Sequence, residues 1–194
     1  GVNDLVVAGG VQQMSQIPIS SAMTLAADLG FPDPFSTSPG WVARYGDGEV
    51  SQFRSAEMIA ERWDLSREDM EAFAVESHER ARRAIAEGRF EAEITPVGEA
   101  TRDEGPREPD LEKIRSLPTL VEGGRVTAAV ASQISDASAA LLIAGEQALT
   151  DHDLTPRARI HHMSVRADDP VWMLTAPIPA TRRALEATGL TMDD

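Results

Sequence analysis

The sequence predicts an α/β protein whose sheet is interrupted by a long helical insertion. The apolar run at residues 5–8 is typical of a buried strand in a parallel sheet covered on both faces, and a second apolar strand is expected at residues 139–144. Between them, residues 51–88 show the apolar spacing of amphipathic helices. The order strand, insertion, strand, helix, strand, helix indicates an α/β arrangement with a helical excursion.

Local signals predict the elements of the first half. The glycine pair at residues 9–10 is expected to form a tight turn after the first strand, and residues 17–48, rich in Pro, Gly, Ser and Asp, an extended loop. A helix ends near Trp63, and a second begins at the capping-box sequence of residues 66–69 and closes at Gly88. The apolar stripe expected to be buried on this second helix comprises Met70, Phe73, Ala74, Ala81, Ala84 and Ile85.

The second half returns to the sheet. Residues 93–97 are expected to form a short strand before a polar, Pro-interrupted surface segment. We then expect a helix at residues 145–152, a strand at residues 158–165 and an amphipathic helix at residues 180–188 with Gly189 as its cap.

Composition excludes several classes of function. The 194 residues carry a net charge of −14, which repels nucleic acid and anionic lipid surfaces. The sequence contains no cysteine, so a disulfide framework, a thiolate zinc site and a thiol nucleophile are excluded within it. No apolar run approaches the roughly 20 residues that span a bilayer, and no membrane partner is expected. A cytoplasmic location fits these features, and the missing initiator Met and abrupt end predict a chain truncated at both termini.

Three motifs carry a resemblance to a known family. These are GGVQQMS at residues 9–15, VTAAVASQISDASAALLI at residues 126–143 and DPVWMLTAPIPATRRAL at residues 169–185. In this order and spacing they resemble the thiolases, and in particular actinobacterial members linked to steroid degradation. The helical segment at residues 51–97 resembles the loop domain that covers coenzyme A in that family.

The resemblance implies a partial thiolase-like layered fold. Residues 1–16 would end the N-terminal core, and residues 17–125 would form the loop domain over coenzyme A. Residues 126–157 would supply the return strand and helix of the N-terminal core, and residues 158–194 the start of the C-terminal domain.

The same resemblance implies a set of residues for coenzyme A. Ala128, Ala131 and Ser132 would line the pantetheine channel, with the Ser132 hydroxyl bonded to an amide of the cofactor. Arg107 would contact the nucleotide end, where a guanidinium supplies a bidentate, charge-assisted contact to phosphate. A solvated surface arginine is the alternative interpretation of Arg107.

An acyl pocket is implied by the remaining motif residues. Met173 takes the position of a pocket-lining Met, Trp172 lies beside it, and Met14 follows the glycine pair in the family pattern. Core packing is the plainer interpretation of Met173. We interpret His78 as an exposed helix residue, and we expect no metal site, since the adjacent His161 and His162 would point to opposite faces of a strand.

Thiolase chemistry implies a ping-pong Claisen reaction. A Cys thiolate takes the acyl group, a His activates it and a second Cys moves the substrate proton. All three belong to motifs outside this sequence, so we expect no catalytic residue within the 194 residues and no thiolysis by the isolated chain. Homodimers or homotetramers are implied for the parent enzyme by analogy.

Two other classes stay open. A β-ketoacyl synthase-like condensing enzyme would share the fold and the thioester chemistry, but its usual layout lacks the long helical insertion. A non-catalytic acyl-CoA-binding or assembly module would need no cysteine.

Overall fold

The computed structural model describes residues 3–194, which form two compact units. Unit 1 comprises the described residues up to Thr37 together with Ile134–Asp169 and Thr175–Asp194, and unit 2 comprises Ser38–Gln133 with Pro170–Leu174. The first two residues of the predicted segment 1–16 lie outside the described residues. The domain boundaries expected from the sequence stay a prediction.

Two strands and seven α-helices are present in residues 3–194. The strands are β1 (Leu5–Gln13) and β2 (Asp136–Ala144). The helices are α1 (Ser21–Thr24), α2 (Pro39–Tyr45), α3 (Gln52–Arg62), α4 (Arg67–Ala86), α5 (Leu111–Ser116), α6 (Glu146–Asp151) and α7 (Pro177–Thr188), with a short 3-10 helix at Ala27–Leu29.

The sheet of unit 1 differs from the expected buried parallel sheet. β1 and β2 pair antiparallel, in a register that runs from Leu5 opposite Ala144 to Gln13 opposite Asp136. Side chains on both faces of β1 are exposed: the neighbouring residues Val6 and Val7, which point to opposite faces, are 43% and 72% exposed. The expectation of a parallel strand covered on both faces is therefore wrong for residues 3–194: an apolar run shows that a strand is suited to burial, but it carries no information on which strand lies beside it.

The glycine pair lies inside β1 and forms no turn. A Cβ built on Gly9 would lie 2.8 Å from the carbonyl oxygen of Ala139, so the two backbones approach too closely there for a side chain. The turn follows the strand instead, where the N–H groups of Gln16 and Ile17 both donate to the carbonyl of Gln13.

The helical predictions are confirmed. α4 begins with a full capping box between Ser66 and Asp69, and Gly88 takes a positive φ of 70° after its end. α7 starts three residues before the expected position because Pro177 occupies its first turn. Gly189 ends α7 in the left-handed region, as expected.

The two remaining strand predictions are wrong. Within residues 93–97 only Val97 pairs, through an isolated bridge to Ala100, and residues 158–165 lie in no strand. A strand exists only where a neighbour accepts its hydrogen bonds, and the described residues offer neither segment such a neighbour.

Small side chains form the core of unit 2. Ala60 of α3 is 1% exposed, and Val126 and Thr127 are 5% and 0% exposed. Ser55, buried on the same helix, donates its hydroxyl to the carbonyl of Val171 at 3.0 Å and so ties the 170–174 segment to α3. Within the described residues, no helix combines the length and apolar character that crossing a bilayer requires.

Candidate functional site

A groove of about 620 Å³ lies within unit 2, along α4 and the segment 126–133. Its apolar lining consists of Ala56, Leu65, Met70, Phe73, Ala74, Val126, Ala129, Val130 and Ala131. Its polar lining consists of Asp69, Ser77, His78, Ser132 and Gln133. A concave, mostly apolar surface with a few polar groups is typical of a small-molecule site.

One face of α4 forms one side of this groove. Met70, Phe73, Ala74 and Ser77 follow one another at the spacing that places side chains on a single helix face. Met70, Phe73 and Ala74 of the stripe that is expected to be buried line an open groove. Phe73 is 78% exposed and Ile85 is 40% exposed. The expectation of burial is wrong for Phe73 and Ile85, because periodicity identifies a face of a helix without identifying what covers it.

The opposite side comes from a turn fixed by a buried threonine. The Thr127 carbonyl accepts the N–H of Val130 at 3.1 Å, and its hydroxyl oxygen accepts the N–H of Ala129 at 3.3 Å. Leu120 donates its N–H to the carbonyl of Val126 at 2.9 Å and holds the turn from behind. The turn brings Val130 and the residue after it to the groove.

Two of the three predicted channel residues line the groove. Ala131 and Ser132 are part of its wall, whereas Ala128 is exposed and is absent from the lining. Their contact with a cofactor stays a prediction.

Arg107 belongs to a loop at the rim of the groove. Its backbone N–H donates to Nδ1 of His78 at 3.5 Å, and its Nη1 donates to the carbonyl of Gly105 at 3.4 Å. The side-chain amide of Gln133 donates to the same carbonyl at 3.1 Å. His78, which we interpreted as exposed, is half-buried and lines the groove; its place eight residues after Met70 on α4 is the helical signal for it.

Trp172 and Met173, two of the predicted acyl-pocket residues, are not part of this lining. Trp172 packs edge-on against Trp63, with ring centroids 6.3 Å apart, and the Arg62 guanidinium lies 5.4 Å from the Trp63 ring and 5.2 Å from the Trp172 ring. Met173 has a positive φ of 49° in the turn where Leu174 donates its N–H to the Trp172 carbonyl. These residues belong to unit 2.

Met14 belongs to unit 1, in the turn after β1, and is half-buried. Ser15 beside it donates both its backbone N–H and its hydroxyl to the carboxylate of Asp136. The role of Met14 in an acyl pocket stays a prediction.

Asp69 is the acidic group of the groove. The hydroxyl of Ser66, and then its backbone N–H, lower the pKa of Asp69 below its ordinary value. The carboxylate therefore stays ionised at neutral pH. Within the part of the chain that the structure describes, no group of three or more His, Asp or Glu side chains is arranged to hold a metal ion.

Comparison with known proteins identifies a family and relatives. The family model described as the thiolase N-terminal domain matches residues 1–147. A steroid 3-ketoacyl-CoA thiolase of Mycobacterium tuberculosis is 61% identical over all of this chain and 49% of its own length. A 3-oxoadipyl-CoA/3-oxo-5,6-dehydrosuberyl-CoA thiolase of Escherichia coli is 37% identical over all of this chain and 52% of its own length.

The fold is also similar to a solved structure. A crystal structure of a thiolase from Ascaris suum in complex with coenzyme A matches with a TM-score of 0.74 and 27% identity, over 100% of this chain and 52% of the other. The predicted α/β, thiolase-like partial fold is therefore confirmed, as is the resemblance read from the motifs. The chain spans about half the length of the curated relatives it matches.

Proposed function

Since the chain belongs to the thiolase family, we propose that unit 2 forms a coenzyme A site in an enzyme that transfers acyl groups between coenzyme A thioesters. The observation that carries the proposal is the groove, with the small residues Ala131 and Ser132 facing the apolar side of α4. Pantetheine is a thin, amide-bearing arm, which suits a slot with apolar walls and few polar groups.

The residues of the wall have distinct roles in this proposal. Ala131, which has only a methyl side chain, lets the arm approach the backbone closely, whereas Ala128 lies outside the lining. The Ser132 hydroxyl donates to or accepts from an amide of the arm. Val130 is apolar and lines the groove, so its side chain offers the arm no hydrogen bond at this position.

Arg107 is proposed to meet the phosphates at the nucleotide end. The protein has a net charge of −14, so a polyanion needs cations gathered locally. The backbone of Arg107 contacts His78, a lining residue, which keeps this cation beside the groove. A guanidinium there binds phosphate as a planar fork.

The acyl group is proposed to derive from steroid or lipid degradation. The 61% identity to a steroid 3-ketoacyl-CoA thiolase supports this substrate class. Met173 and Trp172 of unit 2 are the proposed pocket residues, since a flexible thioether and a large ring suit a bulky apolar acyl group. Met14 of unit 1 is a separate candidate for contact with the acyl group.

The reaction itself is proposed to use a thiol from outside these 194 residues, which contain no cysteine. A thiolate elsewhere in the enzyme would attack the 3-keto carbonyl of the ketoacyl thioester, the bond between C2 and C3 would break, and acetyl-CoA would leave with a proton added at C2. The acyl group would then pass from the enzyme sulfur to the sulfur of coenzyme A, whose thiol gives up its proton, and the enzyme thiolate would be regenerated. This chain would bind and orient the coenzyme. We expect the purified chain to leave acetoacetyl-CoA and coenzyme A unreacted, and measurable thiolysis would contradict this division of roles.

The second candidate is an acyl-CoA-binding or assembly module without catalysis, and the lack of cysteine is the observation that favours it. The coding DNA on either side of these residues separates the two candidates. A cysteine codon in frame shortly upstream of Gly1 supports the enzyme, and its absence supports the module.

Location and assembly are proposed by analogy with the family. We place the enzyme in the cytoplasm and expect two or four copies to associate. Size-exclusion chromatography with light scattering measures the number of copies, and a strictly monomeric protein would contradict the expectation.

Calorimetric titration with coenzyme A tests the proposed site. We expect the 194-residue chain to bind, and Ala131→Phe to weaken binding at least about tenfold because the ring fills the groove. Ala72→Phe adds the same ring to another face of α4 and should leave affinity unchanged. Failure of the unsubstituted chain to bind, or equal affinities of the two variants, would contradict the site.

A further inference from the structure

The carboxylate of Glu57, on α3, accepts hydrogen bonds from the backbone of a segment that is distant in the sequence. Its Oε1 accepts the N–H of Arg125 at 2.8 Å and the N–H of Val126 at 2.7 Å. Its Oε2 accepts the N–H of Arg125 at 2.9 Å. Both carboxylate oxygens are therefore used on two successive backbone amides, and bonds of this kind to an ionised acceptor are stronger than neutral ones.

The side chain of Arg125 forms hydrogen bonds in the opposite direction, to carbonyl groups at the end of α3 and just after it. Its Nη1 donates to the carbonyls of Leu65 at 2.8 Å and Ala60 at 3.3 Å, beyond and within the last turn of α3. The Ala60 carbonyl also accepts the N–H of Leu65 at 2.8 Å, so the guanidinium adds a second bond there and supplies one to the Leu65 carbonyl just after the helix. Glu57 and Arg125 thus fasten the same segment to α3 at two points.

The position of the Glu57 carboxylate also explains why residue 124 is a glycine. A Cβ built on Gly124 would lie 2.3 Å from Oε1 of Glu57 and 3.0 Å from the carbonyl oxygen of Val121. A Cβ 2.3 Å from Oε1 would force the Glu57 carboxylate away from this backbone, so the glycine is what lets the carboxylate lie against it.

The fastened segment leads directly into the groove wall. Val126 is 5% exposed and lines the groove, Thr127 is fully buried, and residues 129–133 follow in the lining. Glu57 itself is absent from the lining. We infer that Glu57 is a positioning residue, which sets the place of the 126–133 wall and through it the affinity for coenzyme A. The inference rests on the proposed function.

Glu57→Gln tests the inference with little change of shape. Glutamine keeps one acceptor oxygen but turns an N–H₂ group toward the amides of Arg125 and Val126, so donor faces donor. Glu61→Gln makes the same change of charge on an exposed position of α3 and serves as the matched control. Glu57→Asp keeps the charge but shortens the reach.

Two measurements on the 194-residue chain are needed. The first is the Kd for coenzyme A, which we expect to rise about tenfold in Glu57→Gln and to stay unchanged in Glu61→Gln. The second is amide hydrogen exchange without ligand. We expect faster exchange at residues 124–133 in Glu57→Gln, with the amides of α4 as protected as in the unsubstituted chain.

The outcomes separate the two claims. If the unsubstituted chain does not bind coenzyme A while residues 124–133 still exchange faster in Glu57→Gln, the proposed function fails and the positioning role stands. If the chain binds and Glu57→Gln binds equally well, the positioning role is overturned. Loss of protection throughout unit 2 in Glu57→Gln and Glu57→Asp, but not in Glu61→Gln, also overturns it, since the effect would then be global.

Discussion

Asp136 accepts hydrogen bonds from the backbone N–H of Ser15, at 2.8 Å, and from the Ser15 hydroxyl. Asp136 is the first residue of β2, and Ser15 lies in the turn after β1. The carboxylate therefore closes the end of the two-stranded sheet where Gln13 and Asp136 are paired. The hydroxyl of Ser15 and then its backbone N–H lower the pKa of Asp136 below its ordinary value of 3.8.

This lowered pKa predicts a pH dependence of stability. The folded state binds the Asp136 proton more weakly than the unfolded state, so the stabilisation is complete above the ordinary pKa and is lost as the pH falls toward the lowered one. We expect the urea concentration at the unfolding midpoint to decrease as the pH is lowered below about 4. This decrease should be less steep in Asp136→Asn. Asp28→Asn changes an exposed carboxylate of the same unit and should reproduce the unsubstituted slope. Identical slopes in both variants would refute this origin of the pH dependence.

The N-caps of α3 and α4 allow a matched pair of substitutions. Ser66 caps α4 with its side chain in a capping box, whereas Ser51 precedes α3 without a side-chain cap bond. We expect Ser66→Ala to lower the free energy of unfolding by about 1 kcal/mol and Ser51→Ala by a few tenths. Urea denaturation followed by circular dichroism measures both. Equal losses would show that the capping box contributes nothing.

Phe73 is expected to matter for binding and little for stability. Phe73 is 78% exposed and lines the groove. Phe73→Ala should therefore weaken coenzyme A binding about tenfold. The free energy of unfolding should change by about 0.5 kcal/mol or less. Phe53→Ala, on α3 and outside the lining, is the control for binding. The prediction fails if Phe73→Ala unfolds the chain or leaves the Kd unaltered.

Gln133 holds the loop of Arg107 at the groove through the Gly105 carbonyl. One neutral, exposed hydrogen bond is worth about 0.6 kcal/mol, so Gln133→Ala should weaken coenzyme A binding about threefold. Pantetheine, which lacks the nucleotide, should bind as before. Gln147→Ala removes an exposed bond to Asp151 on α6 and serves as the control. An equal loss for both ligands would show that Gln133 acts on the arm instead of the phosphates.

The sequence predicted the helices well because their signals are local. The capping box at Ser66 and the left-handed cap at Gly189 depend on residues a few positions away. The same holds for Ala131 and Ser132, which a linear motif places beside each other in the wall. The family motifs identified the fold for the same reason.

Features that depend on distant pairs could not be predicted. Glu57 accepts bonds from Arg125, 68 residues away, and no pattern in α3 indicates that partner. The strand expected at residues 158–165 would need a neighbouring strand, and a local pattern cannot say whether one is present. A glycine pair gives the same signal for a turn and for close backbone contact, and Gly9 lies in a strand at such a contact.

The pairing of β1 with β2 has a consequence for the order of folding. Ser15 and Asp136 are 121 positions apart, so their contact must close a long loop, whereas α3 and α4 form from neighbouring residues. During synthesis the whole of α3, α4 and the 126–133 wall leaves the ribosome before β2 does. We therefore expect the helices to acquire protection first in pulse-labelling experiments, and the two strands to join last.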